Sequence, residues 1–206
     1  AWRGIILEGF RGLARHARAL SGQKPLFFFL LGFLFYNDAV NTIMKMAVDY
    51  GLALGLESAD LIKALLLVQF IGFPAAIAFG FAGEKIGPLR GIAICLCVYL
   101  GVTVYAYFLS SATEFFIMAA VIGLVQGGVQ ALSRSYYARL VPPENSAEYF
   151  GFFNMIGKFS SVLGPLMVGW VGLLFNDSRA GILILAIFFV LGGGLLFKSR
   201  RAERAA

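Results

Sequence analysis

Residues 25–50 read PLFFFLLGFLFYNDAVNTIMKMAVDY, an apolar run with an acid near its middle. The run is long enough for a helix to cross the hydrocarbon core of a bilayer, which takes roughly 20 residues. A carboxylate such as that of Asp38 costs about 2.5 to 3.5 kcal/mol at membrane depth, so residues of this kind usually face a polar cavity or a partner. The stretch therefore predicts a membrane-spanning helix that carries a functional site.

The composition extends this interpretation to the whole chain. Hydrophobic residues make up 60% of the 206 residues and charged residues 14%, and the mean hydropathy is +0.83. Soluble domains have far more charge and less apolar content. The segments between the apolar runs are too short for a separate soluble core, so we predict one all-α integral membrane domain. The net charge of +6 then indicates flanks that meet anionic lipid, and no nucleic-acid partner is expected.

Apolar runs of spanning length, separated by turn residues or charges, predict six transmembrane helices. Pro74 in the second span and Gly164-Pro165 in the fifth should bend their helices and free backbone carbonyls that neighbouring helices must satisfy. The six predicted spans are 25–50, 61–82, 91–109, 115–137, 150–175 and 180–197.

Basic residues cluster in the flanks on one side of these spans, before the first, after the second and fourth, and after the sixth. By the positive-inside rule both ends of the chain are predicted to be cytoplasmic, and we interpret the location as the bacterial inner membrane. The predicted organisation is a cytoplasmic amphipathic linker helix over 1–24, a six-helix bundle over 25–197 and a basic cytoplasmic tail over 198–206. The lone histidine, His16, is interpreted as a surface residue of the linker.

Polar side chains are concentrated in spans one and four, where they recur three or four residues apart and so share one helix face. Spans three and six have no charged residue at membrane depth. We therefore expect spans one and four to line a wet interior, and spans three and six to face lipid. The predicted path for substrate and protons consists of Asn37, Asp38, Asn41, Thr42, Gln126, Gln130, Asn154 and Lys158.

Asp38 and Lys158 are expected to lie close enough for an ion pair, direct or bridged by water. Two interpretations remain open, a carboxylate that carries protons during transport and a purely structural ion pair. Burial favours the neutral form of a carboxylate and a nearby cation favours its charged form, so the protonation of Asp38 can respond to the side on which a cavity opens.

The connection after span two, GFAGEKIGPLR at residues 80–90, resembles the cytoplasmic signature of the major facilitator superfamily. Glu84 stands where aspartate is commoner, and Pro88-Leu89 stand in place of the usual basic pair. The resemblance implies that Glu84 and Arg90 help to latch a cytoplasmic gate. The implied gate loop consists of Gly83, Glu84, Lys85, Gly87 and Arg90.

Three further stretches are more specific: LFYNDAVNT at 34–42, GLVQGGVQALSRS at 123–135 and FGFFNMIGKFSSVLGP at 150–165. Together they resemble the C-terminal half of the vacuole-effluxer-like branch of the major facilitator superfamily. The resemblance implies that the six helices are half of a twelve-helix secondary transporter with a 3+3 inverted repeat. Its implied partners are a small polar substrate, the lipid bilayer and an N-terminal six-helix half of the same transporter.

The implied activity is the movement of a small polar solute by alternating access, with amino acids favoured and sugar or peptide carriers still open. A non-transporting scaffold or lipid-binding bundle is the alternative, and it predicts a dry interior. The sequence has no nucleophile–base set or metal-ligand spacing, so we predict no enzyme activity, catalytic residue, cofactor or metal. Because the chain opens on Ala1-Trp2-Arg3 without a methionine, we interpret it as a fragment.

Overall fold

The structure is a computed structural model that describes residues 23–53, 55–175 and 178–205. The predicted linker helix lies outside these ranges except for its last two residues, and so does His16. The loop residues Asn176 and Asp177 lie outside them as well.

The described residues form helices and short connections, with no strand among them. Six spans are long and apolar enough to cross a membrane, which confirms the predicted all-helical fold class. The fifth span consists of two helices in succession. The elements are α1 Lys24–Ala53, α2 Ser58–Ile86, α3 Pro88–Phe108, α4 Ala112–Leu140, a 3₁₀ turn Pro143–Asn145, α5 Ser146–Phe159, α6 Leu163–Phe175 and α7 Ser178–Ala205.

Most of the helices extend beyond the apolar runs that predict them, because polar residues continue or cap their ends. At the start of α4, the Ser111 hydroxyl accepts a hydrogen bond from the Glu114 N–H, and the Glu114 carboxylate accepts one from the Ser111 N–H.

α7 continues to Ala205, so most of the predicted basic tail is the last two turns of this helix. α2 and α3 are joined by Gly87 alone, whose φ of 87° suits a residue without a side chain.

Burial differs from the expected division into inner and lipid-facing spans. Only 17% of the apolar window is buried in the second span and in the fifth, against 44% in the third. α3 packs one face on α4 and α7, whereas α2 and α6 leave large side chains exposed. This burial is internal to the chain, so the expectation that spans three and six face lipid stays a prediction. The large exposed side chains on α2 and α6 include Phe70, Phe73, Trp170 and Leu173.

The crossing of α2 and α4 brings the two backbones into contact at Gly127. A Cβ at this position would overlap the Gly72 carbonyl oxygen and lie 2.8 Å from the Ala76 backbone nitrogen. Small residues allow this close approach between membrane helices, where packing rather than the hydrophobic effect drives association.

We expect Gly127→Ala to force α2 and α4 apart at a cost of about 1 to 3 kcal/mol, as for other overpacked interfaces. The matched control is Gly101→Ala in α3, where nothing lies within 4 Å of an added Cβ. Thermal unfolding in detergent should show a lower midpoint for the first variant and an equal or higher midpoint for the second. Equal midpoints for Gly127→Ala and the unchanged protein would contradict this packing.

The end of the bundle where α1 begins and α7 ends is called the basic end here. The Ser199 hydroxyl of α7 donates to the Pro25 carbonyl of α1 at 2.7 Å, across 174 residues of sequence. The Tyr136 hydroxyl of α4 lies 3.2 Å from the Ser199 hydroxyl and donates to the Glu203 carboxylate at 2.9 Å. These contacts join α1, α4 and α7 at the basic end.

Candidate functional site

The fifth span is interrupted between α5, which ends at Phe159, and α6, which begins at Leu163. Pro165 lies in the first turn of α6, where its missing N–H is tolerated, and it cannot bond to the Ser161 carbonyl four residues earlier. That carbonyl instead accepts a hydrogen bond from Nζ of Lys45 on α1, at 2.9 Å. The bend predicted from Gly164-Pro165 is confirmed as a complete interruption of the helix, and a neighbouring helix satisfies the freed carbonyl.

A second residue of α1 contacts the same interruption. Nδ2 of Asn37 donates to the Ser160 hydroxyl at 2.6 Å and to the Gly157 carbonyl at 3.3 Å. The amide therefore holds the last turn of α5 against the middle of α1. Part of the polar stripe on α1 thus serves to satisfy exposed backbone groups at membrane depth, where each unsatisfied group is costly.

Asp38 of α1 packs against the start of α6, and its side chain is 1% exposed. A Cβ on Gly164 would lie 3.3 Å from its Cγ and would overlap Oγ1 of Thr42, so α6 approaches α1 closely only because residue 164 is glycine. The Thr42 hydroxyl donates to the Asp38 backbone carbonyl at 2.7 Å. Among the described residues, neither carboxylate oxygen of Asp38 has a partner with hydrogen-bond geometry.

Burial disfavours a charge on Asp38, and the groups that favour one do not include the expected lysine. The Gly164 N–H and the Lys45 ammonium interact electrostatically with the carboxylate, and the free N–H groups at the start of α6 favour a negative charge there. Lys158 is exposed and forms no ion pair with Asp38, although both are described. The expected direct Asp38–Lys158 ion pair is therefore not formed, because Asp38 lies against Gly164 of α6 and does not line the recess that Lys158 lines. A contact bridged by water stays a prediction.

Two neighbouring recesses form an open polar groove beside the interruption. One has a volume of about 440 Å³ and lies between α2 and α4, with Gln69, Gln126 and Gln130 in its wall. The other has a volume of about 420 Å³ and lies between α1, α4 and α5. Gln130 and Arg134 line both recesses, so the two are continuous along α4. The remaining residues of the second recess are Phe33, Asn37, Asn41, Phe153, Asn154, Gly157 and Lys158.

Aromatic side chains form the apolar part of the groove. The Phe33 and Phe153 rings stack with centroids 4.3 Å apart, and the Phe153 ring also stacks on Tyr137 at 4.7 Å. The Tyr137 hydroxyl donates to the Tyr149 carbonyl at 2.7 Å. These contacts tie α1, α4 and α5 together beneath the polar residues and give the groove a rigid apolar wall.

The structure separates the predicted path residues into two sets. Asp38 and Thr42 are buried behind the groove at the interruption of the fifth span. Arg134 lines both recesses but was not predicted as a path residue, because its place near the end of span four reads as an ordinary flanking charge. Its position four residues after Gln130 is the signal that places it on the same face. The predicted residues that do line the groove are Asn37, Asn41, Gln126, Gln130, Asn154 and Lys158.

The predicted gate loop is a tight helix–helix connection. Gly83 is buried against the Leu132 side chain of α4, whereas Glu84, Lys85 and Arg90 are exposed. Within the part of the chain that the structure describes, no ion pair involves Glu84 or Arg90. A latch formed by these two charges therefore requires partners beyond the described residues.

Comparison with known proteins gives a consistent set of relatives. Residues 1–205 match the family described as vacuole effluxer Atg22 like. The chain is 37% identical over 188 residues to a Bacillus subtilis (strain 168) protein named uncharacterized MFS-type transporter YxiO, covering 91% of this chain and 44% of that protein. It is 28% identical over 204 residues to autophagy-related protein 22 of Pichia angusta, covering 90% of this chain and 35% of the relative.

A fungal relative from Phaeosphaeria nodorum, named autophagy-related protein 22-1, is 30% identical over 197 residues, covering 87% of this chain and 34% of that protein. The chain thus spans between about a third and a half of the length of these relatives. Each of them has a substantial further part to which this chain does not align.

Proposed function

Since the chain belongs to the vacuole effluxer Atg22-like family, and a family relative is named an MFS-type transporter, we propose that it forms one half of a secondary active transporter. The proposed activity is the movement of a small polar solute by alternating access, and amino acids are the proposed substrates. The observation that carries this proposal is the polar groove at membrane depth, which opens on one side and is lined by amides and cations. A scaffold whose interior is dry and whose polar groups are paired with one another is not expected to form such a groove.

The groove residues Asn41, Gln126, Gln130, Asn154 and Lys158 are proposed to contact the solute. Asn37 both lines the groove and holds α5, so it links the solute to the interrupted span. Asp38 and Thr42 are proposed to act behind the groove. There Asp38 would take up and release a proton as α6 moves relative to α1.

The open side of the groove is proposed to be covered by an N-terminal six-helix half of the same transporter. The second and fifth spans are the least buried, and they flank the two recesses. Their large apolar side chains would pack against the other half. The basic end is proposed to be cytoplasmic, in a bacterial inner membrane, where Glu84 and Arg90 would pair with charges of the other half when the gate closes.

This chain alone should not transport, because half of a cavity cannot enclose a solute. Proteoliposomes that contain only these 206 residues are expected to show no saturable flux of any of the twenty amino acids, whereas the full-length transporter should show it for at least one. Radiolabelled uptake and counterflow measure both. Saturable flux through the short chain would mean that it is a complete carrier, and no flux through either would favour a scaffold.

A further inference from the structure

Among the described residues, two cations and no acid line the groove. Arg134 lines both recesses and Lys158 lines the second, and none of the residues that line either recess is an aspartate or a glutamate. Both side chains are exposed to the groove. The electrostatic potential in the groove is therefore positive, and low-dielectric walls strengthen such a field.

Neither cation has a partner within the described part of the chain. No carboxylate lies within ion-pair distance of Arg134 or Lys158. Lys45, the other lysine near the site, is already engaged with the Ser161 carbonyl, and Asp38 is buried outside the groove. No ion pair among the described residues therefore has to be broken before an anion binds to either cation.

We propose that Arg134 and Lys158 form an anion subsite and that the transported solute carries net negative charge, as a small dicarboxylate with or without an amino group. This inference rests on the proposed transport function. The Arg134 guanidinium is suited to hold one carboxylate through paired N–H donors, and the Lys158 ammonium acts as a point charge for the second. The amides of Asn41, Asn154 and Gln130 can donate to the remaining oxygens, and the stacked Phe33 and Phe153 rings border the carbon chain.

The groove disfavours cationic solutes for the same reason. An ammonium-bearing side chain would meet two positive charges in the groove, whereas the buried Asp38 does not line either recess. A neutral solute of the same size would meet the amides but would leave one cation without an anionic partner, so it would form fewer charge-assisted hydrogen bonds and bind more weakly. The affinity of the groove should therefore increase with the negative charge of the solute.

The test uses the full-length protein in lipid nanodiscs and proteoliposomes, with L-glutamate, succinate, L-glutamine and L-lysine as probes. L-glutamate and succinate should raise the thermal unfolding midpoint and bind at least tenfold more tightly than L-glutamine, while L-lysine should not bind. Arg134→Gln and Lys158→Gln should each weaken L-glutamate binding about tenfold or more and weaken L-glutamine binding less, because L-glutamine has one carboxylate instead of two, so that the preference for L-glutamate falls. Arg139→Gln is the matched control, since Arg139 is exposed on the same helix outside the groove.

The possible results separate this inference from the proposed function. Saturable flux of L-glutamine or L-lysine in preference to L-glutamate would overturn the anion subsite and leave a transporter. A lower unfolding midpoint of Arg134→Gln without ligand, with unchanged probe preference, would also overturn it, because the arginine would then pair with an acid of the other half. L-glutamate binding that depends on Arg134, without flux of any probe, would support the subsite and contradict transport.

Discussion

In the full-length protein, Asp38→Asn should abolish proton-driven accumulation of solute while exchange of solute down its gradient persists. The substitution keeps the size of the side chain and removes its titration. Asp38 is 1% exposed, and both of its carboxylate oxygens lack a hydrogen-bond partner among the described residues. Burial disfavours the charged form of this carboxylate, whereas the Gly164 N–H and the Lys45 ammonium favour it, so movement of α6 should change its affinity for a proton.

Accumulation against a gradient, driven by an imposed pH difference, measures this effect, and we expect at least a tenfold loss. Asp49→Asn is the matched control, because Asp49 lies on the same helix and is exposed. Lys45→Gln should shift the pH at which transport declines, since it removes the cation beside Asp38. If Asp38→Asn accumulates solute with an unchanged pH profile, Asp38 has a structural role and coupling occurs elsewhere in the protein.

Gly164→Ala should nearly eliminate transport without preventing insertion of the protein. An added Cβ overlaps Oγ1 of Thr42 and lies 3.0 Å from its Cβ, so α6 must move away from α1. Overpacking of this kind costs about 1 to 3 kcal/mol. If that cost falls on the transporting conformation, the rate drops about 10- to 100-fold.

Gly169→Ala, further along α6 with nothing within 4 Å of the new Cβ, provides the control and should transport normally. The double variant Gly164→Ala/Thr42→Ala removes the overlapping oxygen and should recover part of the rate. Initial rates of uptake at equal protein content distinguish these variants. Normal rates for Gly164→Ala alone would show that the close approach of α1 and α6 is not needed for transport.

The sequence predicts the six spans well because hydropathy over 20 residues reports membrane insertion directly. It also predicts which polar residues share a helix face, since that depends only on the helical period. It does not predict which neighbour each face meets. Asp38 and Asn41 belong to one stripe, yet Asp38 faces α6 and Asn41 faces the groove.

Because the sequence does not predict which neighbour a helix face meets, it also led to the expected direct ion pair between Asp38 and Lys158, which does not form. Depth along the membrane suggested Lys158 as the partner of Asp38, but the rotation of α1 about its axis presents Lys45 to the interruption in the fifth span. The freed carbonyl was predictable from Pro165, because proline removes a specific bond. Its donor was not, because the donor comes from a helix more than 100 residues earlier in the chain.

The hydrogen bond between Ser199 and Pro25 sets an order of events during synthesis. The two residues are 174 positions apart, and ribosomes add about 5 to 20 residues per second. Roughly 10 to 35 s therefore pass between translation of the first span and arrival of the hydroxyl that meets its backbone. This hydrogen bond is therefore among the last contacts between the first and last helices to form, after residues such as Gly192, which lies against Gly32, have been translated.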